Sequence, residues 1–342
     1  MQGREAPFVI EVMRGGAVES RHLVSAAAVD REGRLRAGWG EIDAPVYPRS
    51  AIKPIQALPL VLTGAADAYG LSQAELALAT GSHSGTARHV EVADAMRQRI
   101  GVEMAEIGCG AHPPASNAAL AQLLAHGETA SVLHNNCIGK HLGMIATARH
   151  LNEPVHGYLA PDHPVQRRIH ALLTELGGAP LAGLPIGIDG CSAPTFALPL
   201  RALARGFATF GAPDGLEPGL ALACRRIAAA MIAEPFMVAG EGRLSTELIA
   251  ATQGAVLLKE GAEGVIAGVV PRKHLGFALK VVDGAGRAAD VAALALLRYF
   301  GAIGHEPARR LRPRYEPVLR NWRGLAVGTI RPAGGWLPEG GS

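Results

Sequence analysis

Pro48-Arg49-Ser50-Ala51-Ile52-Lys53-Pro54 sets a hydroxyl and an amine three residues apart. The apolar run Gln56–Leu60 follows, and proline is tolerated in a helix only in the first turn, where backbone N–H groups have no intrahelical partner. A helix is therefore expected to open here, with Ser50 and Lys53 on one face. A serine served by a lysine, in place of the commoner histidine, is the equipment of nucleophilic acyl transfer. An exposed lysine, with a pKa of about 10.4, is a poor base at neutral pH, so burial or a second cation must lower it by roughly 3 units. The same spacing also reads as a serine capping a helix with a solvated lysine behind it.

Three other stretches concentrate reactive side chains. Thr80-Gly81-Ser82-His83-Ser84-Gly85 interrupts two helical patterns and reads either as a loop reaching into a cleft or as a capping turn. Lys259, in Lys259-Glu260-Gly261, offers a second amine, or a solvated loop residue. His134-Asn135-Asn136-Cys137-Ile138-Gly139-Lys140-His141 is the densest run of potential ligands, and Asp189-Gly190-Cys191-Ser192-Ala193-Pro194 adds a second thiol in a turn. Two thiolates with one or two nitrogens suit zinc, although no Cys-x-x-Cys pair is present. Buried thiols beside capping asparagines, or a cysteine nucleophile served by His134 or His141, are the other readings.

The elements that must position these groups follow from periodicity. Strands are expected at 8–13, 22–29, 34–40, 264–270, 275–282 and 325–331. Helices are expected at 73–80, 88–100, 116–125, 139–150, 164–176, 219–233 and 287–300, and the tail after Trp336 is expected to fray. Strands thus cluster at both ends of the chain. This predicts an α+β fold, with an antiparallel sheet from the N- and C-terminal segments and a helical middle lobe. The 342 residues are read as one catalytic domain with a sheet lobe at about 8–50 and 255–331, a helical lobe at about 51–254, and Ser50 where a cleft between them opens.

Composition narrows the partners. Apolar residues make up 49% of the chain, and the net charge of +3 is spread over interspersed acids and bases, which predicts no nucleic-acid or anionic-membrane footprint. The 43 glycines and 23 prolines signal many tight turns. No apolar stretch of signal-peptide or membrane-span length is present, so a soluble cytoplasmic protein is expected. Cys109, Cys137, Cys191 and Cys224 are spaced as thiols of a reducing compartment. A small molecule is the expected partner.

Taken in order, PRSAIKPIQALPL, GSHSG with His89 after it, LHNNCIGKH, GIDGCSAPTFALPL, VAGEGRLSTEL, KEGAEGV and GFALKVVDGAGRAA resemble the L-asparaginase II family of the Rhizobium inducible or thermolabile type, the class 3 asparaginases. The resemblance runs from about residue 8 to about residue 300. It implies a serine amidohydrolase with a fold similar to serine β-lactamases, penicillin-binding proteins and glutaminases. It implies two catalytic tandems, Ser50 with Lys53 and Ser82 with Lys259, and a zinc site of Cys137, Lys140 and Cys191 with water as fourth ligand. Arg49, Asp189 and His83 are the candidates for holding substrate, and a homodimer is expected.

Two positions depart from the family pattern. Ile138 stands where a serine is usual, and Ser245 where an acidic residue is common; both bear on metal affinity and substrate preference rather than on the reaction. The expected reaction is hydrolysis of L-asparagine to L-aspartate and ammonia through an acyl-enzyme. Ser50 is the first choice of nucleophile, because a helix N-terminus offers N–H groups to an oxyanion. Asparagine is not ranked against glutamine or other amides by the sequence. A penicillin-recognising hydrolase or peptidase using the same tandem, and a zinc-dependent binding or sensing protein without amidase activity, are the alternatives.

Overall fold

Gly15 and Gly16 both take positive φ, as a tight two-residue hairpin requires, and they join Phe8–Arg14 to Ala17–Asp30. This hairpin belongs to the larger sheet of a computed structural model that describes residues 6–334. The tail after Trp336, expected to fray, lies outside the described residues.

The chain divides into two compact units. The first comprises the described residues up to Ala51, Leu198–Ala212 and those from Glu247 onward. Its sheet has eight antiparallel strands, in the order Val318–Arg320, Ala326–Pro332, Phe8–Arg14, Ala17–Asp30, Leu275–Val281, Val265–Val270, Leu257–Gly261. Leu35–Trp39 pairs with Ala17–Asp30 off that path. The antiparallel sheet from both chain ends is therefore observed.

The first half of Ala17–Asp30 alternates in burial, whereas consecutive residues Val24–Asp30 are all buried. Successive strand side chains point to opposite faces, so both faces of the sheet are covered there. Helices Leu200–Gly211 and Gly286–Tyr299 pack on these strands. A Cβ on Gly276 would fall 2.0 Å from the Ala204 carbonyl oxygen, so this strand glycine is what lets the first helix lie so close.

The second unit spans Ile52–Ala197 and Pro213–Thr246. At its centre is Ile138–His150, buried without a break from Ile138 to Ala148. Helices Gln73–Ala79, Ala87–Ile100, Leu58–Leu62 and Pro164–Gly177 pack around it. Gly139 sets the closest approach, since a Cβ there would lie 2.2 Å from the Leu78 carbonyl oxygen. Helix Gln73–Ala79 opens on a reciprocal Ser72–Glu75 capping box and ends at Thr80. The loop that follows is held by backbone partners: Ser82 N–H donates to the Val238 carbonyl (2.8 Å), and Ser84 Oγ to that of Ala239 (2.7 Å).

Some elements differ from expectation. Helices Leu200–Gly211 and His305–Tyr315 and the strand Leu257–Gly261 were not anticipated. Ser50 sits in a 3-10 turn, Arg49–Ile52, and the α-helix begins at Lys53 with Pro54 in its first turn. Among the described residues, no helix is long and apolar enough to cross a membrane.

Candidate active site

Lys53 is fully buried, and each of its possible N–H directions meets an oxygen. Its Nζ contacts the Gly81 carbonyl, Ser82 Oγ at 3.0 Å and the Asn136 carbonyl at 3.2 Å. A neutral amine has two N–H groups and one lone pair. Two carbonyls can only accept, so they take the N–H groups, and the lone pair is left for the Ser82 hydroxyl. Burial lowers the Lys53 pKa from the ordinary 10.5, and the Lys140 ammonium lowers it further against the opposing pull of the Cys137 sulfur. Desolvation thus shifts the amine in the direction that a lysine base requires.

Sequence reasoning paired Lys53 with Ser50 and Ser82 with Lys259. The structure adds a contact of Lys53 with Ser82, 29 residues away. The division between the units falls inside the Ser50-x-x-Lys53 stretch, so Ser50 and Lys259 belong to the first unit and Lys53 and Ser82 to the second. Lys259 is not a solvated loop residue. It lies fully buried on the strand Leu257–Gly261, its Nζ donating to the Glu260 carbonyl at 2.7 Å. That strand runs tightly against the serine-bearing segment, for a Cβ on Gly261 would be 2.6 Å from the Pro48 carbonyl oxygen. Arg49 takes φ of +51°, a left-handed conformation for a non-glycine residue immediately before Ser50.

Cys137, Lys140 and Cys191 converge. Cys137 precedes the central helix, where its amide donates to Asn135 Oδ1 at 2.8 Å, and Cys191 lies in the turn between strands Ile186–Ile188 and Pro194–Phe196. Lys140 Nζ lies 3.1 Å from Cys191 Sγ. A hydrogen bond from the Cys191 thiol, together with Lys53 and Lys140, holds the Cys137 pKa well below that of an ordinary thiol, while Cys191 is raised. Burial opposes the charge on Lys140, but the two sulfurs and Asp189 outweigh it and raise its pKa. Among the described residues no group of three His, Cys, Asp or Glu side chains converges as a metal site, so any site here depends on the lysine nitrogen. Two sulfurs, one already favoured as thiolate, and one amine fit a soft dication such as zinc.

Histidines complete the surroundings. His83 Nδ1 accepts the Gly85 N–H at 3.0 Å, and its ring stacks on His89 at 4.8 Å. Tyr158 accepts the Gly108 N–H at 2.9 Å, and its hydroxyl lies 2.6 Å from His141 Nδ1. The Nε2 atoms of His83 and His141 are buried without a partner. Leaving such a group unsatisfied costs about 1–3 kcal/mol, enough to require a compensating role or ligand.

The sequence model of the L-asparaginase II family matches residues 10–332, nearly the whole chain. The chain belongs to the L-asparaginase II family. A search of curated protein sequences finds no match. Among solved structures, Mglu in its native form is 14% identical with a TM-score of 0.43, and the alignment covers 81% of this chain and 61% of Mglu. A β-lactamase from Mycobacterium bovis is 13% identical with a TM-score of 0.45, covering 82% of this chain and 95% of that one. The chain therefore spans under two thirds of the length of Mglu.

The two departures from the family pattern occupy distinct places in this L-asparaginase II chain. Ile138 opens the central helix fully buried beside Cys137, and Ser245 is fully buried in helix Leu244–Thr252. Sequence reasoning missed the carbonyls of Gly81 and Asn136 as partners of Lys53. Both flank residues it had singled out, but a backbone acceptor leaves no signal in side-chain type.

Proposed function

We propose that this protein is an L-asparaginase of the Rhizobium inducible type, hydrolysing the side-chain amide of L-asparagine to L-aspartate and ammonia. The observation that carries the reading is the Lys53–Ser82 contact, a buried amine whose two carbonyl partners leave its lone pair for a hydroxyl. Lys53 removes the Ser82 proton as Ser82 Oγ attacks the amide carbonyl carbon. The same amine returns the proton to the departing nitrogen, releasing ammonia, and a water then hydrolyses the ester. Ser50 and Lys259 are proposed as the further hydroxyl and amine of the reaction. Arg49 and Asp189 are proposed to hold the α-carboxylate and α-ammonium of the substrate.

Cys137, Lys140 and Cys191 would hold zinc, which when bound supplies positive charge that fixes the two thiolates and the uncharged Lys140 amine. Without it, the same residues place opposing charges near Lys53, the Cys137 sulfur raising its pKa and Lys140 lowering it. The reading also carries a cytoplasmic homodimer, for which light scattering of the purified protein is the check.

A second assignment of the nucleophile has its own observation. The left-handed Arg49 strains the backbone just ahead of Ser50, as at many functional turns, and would make Ser50 the attacking group. Trapping the acyl-enzyme with an aspartyl electrophile and mapping it by mass spectrometry distinguishes them. The added mass on the peptide carrying Ser82 supports the first assignment, on Ser50 the second, and on neither contradicts both.

A further inference from the structure

His83 has one ring nitrogen fixed and one unassigned. Its Nδ1 accepts the Gly85 N–H at 3.0 Å, so the ring proton resides on Nε2. The imidazole is 1% exposed and packed face to face on His89, 4.8 Å between centroids with 12° between planes. His89 stacks in turn on Phe236 at 4.6 Å and 13°. His89 is itself fixed, its Nε2–H donating to the Phe236 carbonyl at 3.0 Å and its Nδ1 accepting the Thr86 hydroxyl at 2.7 Å. The stack leaves His83 no freedom to flip its ring for another partner. Burial is the largest cause that lowers its pKa well below the ordinary 6.5, with His89, Lys53, His112 and His134 acting in the same direction, so the ring is neutral. The result is an uncharged N–H donor, rigidly held, next in sequence to Ser82 and sealed from solvent with nothing to donate to.

We propose that His83 donates its Nε2–H to the carbonyl oxygen of the bound amide and to the oxyanion that forms there. The inference rests on the amidase reading of the Lys53–Ser82 pair and adds to it the group that receives the developing negative charge. No proton leaves His83; Lys53 remains the shuttle. A neutral imidazole suits this task because a preorganised N–H stabilises charge without itself being ionised. The adjacent lysine explains why the ring must be neutral, since an imidazolium would raise the barrier to reprotonating Lys53.

The test uses the full chain and the variants His83→Phe and His83→Gln. Phenylalanine keeps the stack on His89 and removes the unsatisfied N–H, whereas glutamine restores a donor near the Nε2 position. The expected result is a kcat for ammonia release from L-asparagine lowered about 100-fold or more in His83→Phe, with KM within threefold and a cooperative melting transition retained, and partial recovery in His83→Gln. A His83→Phe kcat within threefold of wild type would overturn the inference while leaving the amidase reading intact. Nitrogen-15 NMR of histidine-labelled wild type supplies a readout independent of turnover. An Nε2–H imidazole at neutral pH is expected, and an Nδ1–H or doubly protonated ring overturns the inference whatever the substrate. Failure of wild type to release ammonia would overturn the amidase reading itself and, with it, the acceptor assigned to His83.

Discussion

Lys53 Nζ stands 3.0 Å from Ser82 Oγ, with the Gly81 and Asn136 carbonyls on its other sides. Two acceptors that can never donate decide which way the lone pair of an uncharged amine faces. A base is therefore aimed at a hydroxyl by backbone geometry alone. The first prediction concerns its titration. Because the Lys53 pKa is lowered by burial, kcat/KM should rise with pH along an acidic limb whose midpoint lies below 10.5. A pH–rate profile measures it, and a midpoint at the ordinary lysine value would contradict the arrangement.

Stability should fall in acid below about pH 6.5, for a reason separate from catalysis. His83, His89 and His141 all have folded pKa values lowered from 6.5, with burial as the largest cause. The unfolded chain then binds more protons than the folded one as pH drops below 6.5. Their contribution is fully present above that value and is lost as pH falls toward the folded pKa values. Urea unfolding at pH 7.5 and pH 5 should show the loss, and His83→Phe should show less of it than wild type.

Gly139→Ala opposes two effects. Alanine favours a helix by up to about 1 kcal/mol over glycine. Here its Cβ would meet the Leu78 carbonyl oxygen at 2.2 Å and the Ala79 nitrogen at 2.9 Å, both backbone atoms that cannot swing aside. Overpacking of this kind typically costs about 1–3 kcal/mol, so a net destabilisation is expected, measured by chemical denaturation. Since Leu78 lies just ahead of the Ser82 loop, kcat should fall as well.

Cys191→Ser should lower the zinc bound per chain after equilibration with the metal, because it removes one of two sulfurs from a set that has no third thiolate or imidazole to replace it. Elemental analysis of dialysed protein measures this. Equal zinc content in wild type and variant would remove the metal from Cys137, Lys140 and Cys191.

Much of the fold was legible because its strands alternate or run apolar between glycine turns, as in Phe8–Arg14 and Leu275–Val281. The central helix was legible for the same reason, its apolar spacing running from Ile138 to Ala148. What escaped depends on contacts between distant segments. Lys259 reads as a solvated loop residue because a lysine in a short run such as LLKEG gives no hint that the strand around it will be buried. Helix Leu200–Gly211 follows directly on Pro199, which masked its start, and its place on the sheet is a tertiary fact. The reactive residues themselves were visible by type. The contact of Lys53 with Ser82 was not, since local spacing speaks only for neighbours in the chain.

The most direct measurement is ammonia release from L-asparagine by wild type, Lys53→Met and Ser82→Ala, each shown to be folded by its melting transition. Wild type is predicted to release ammonia and aspartate in equal amounts, and each variant to lose at least about 100-fold in kcat, in the range of a lost general base or nucleophile. A Ser82→Ala enzyme retaining kcat within threefold of wild type would contradict the account.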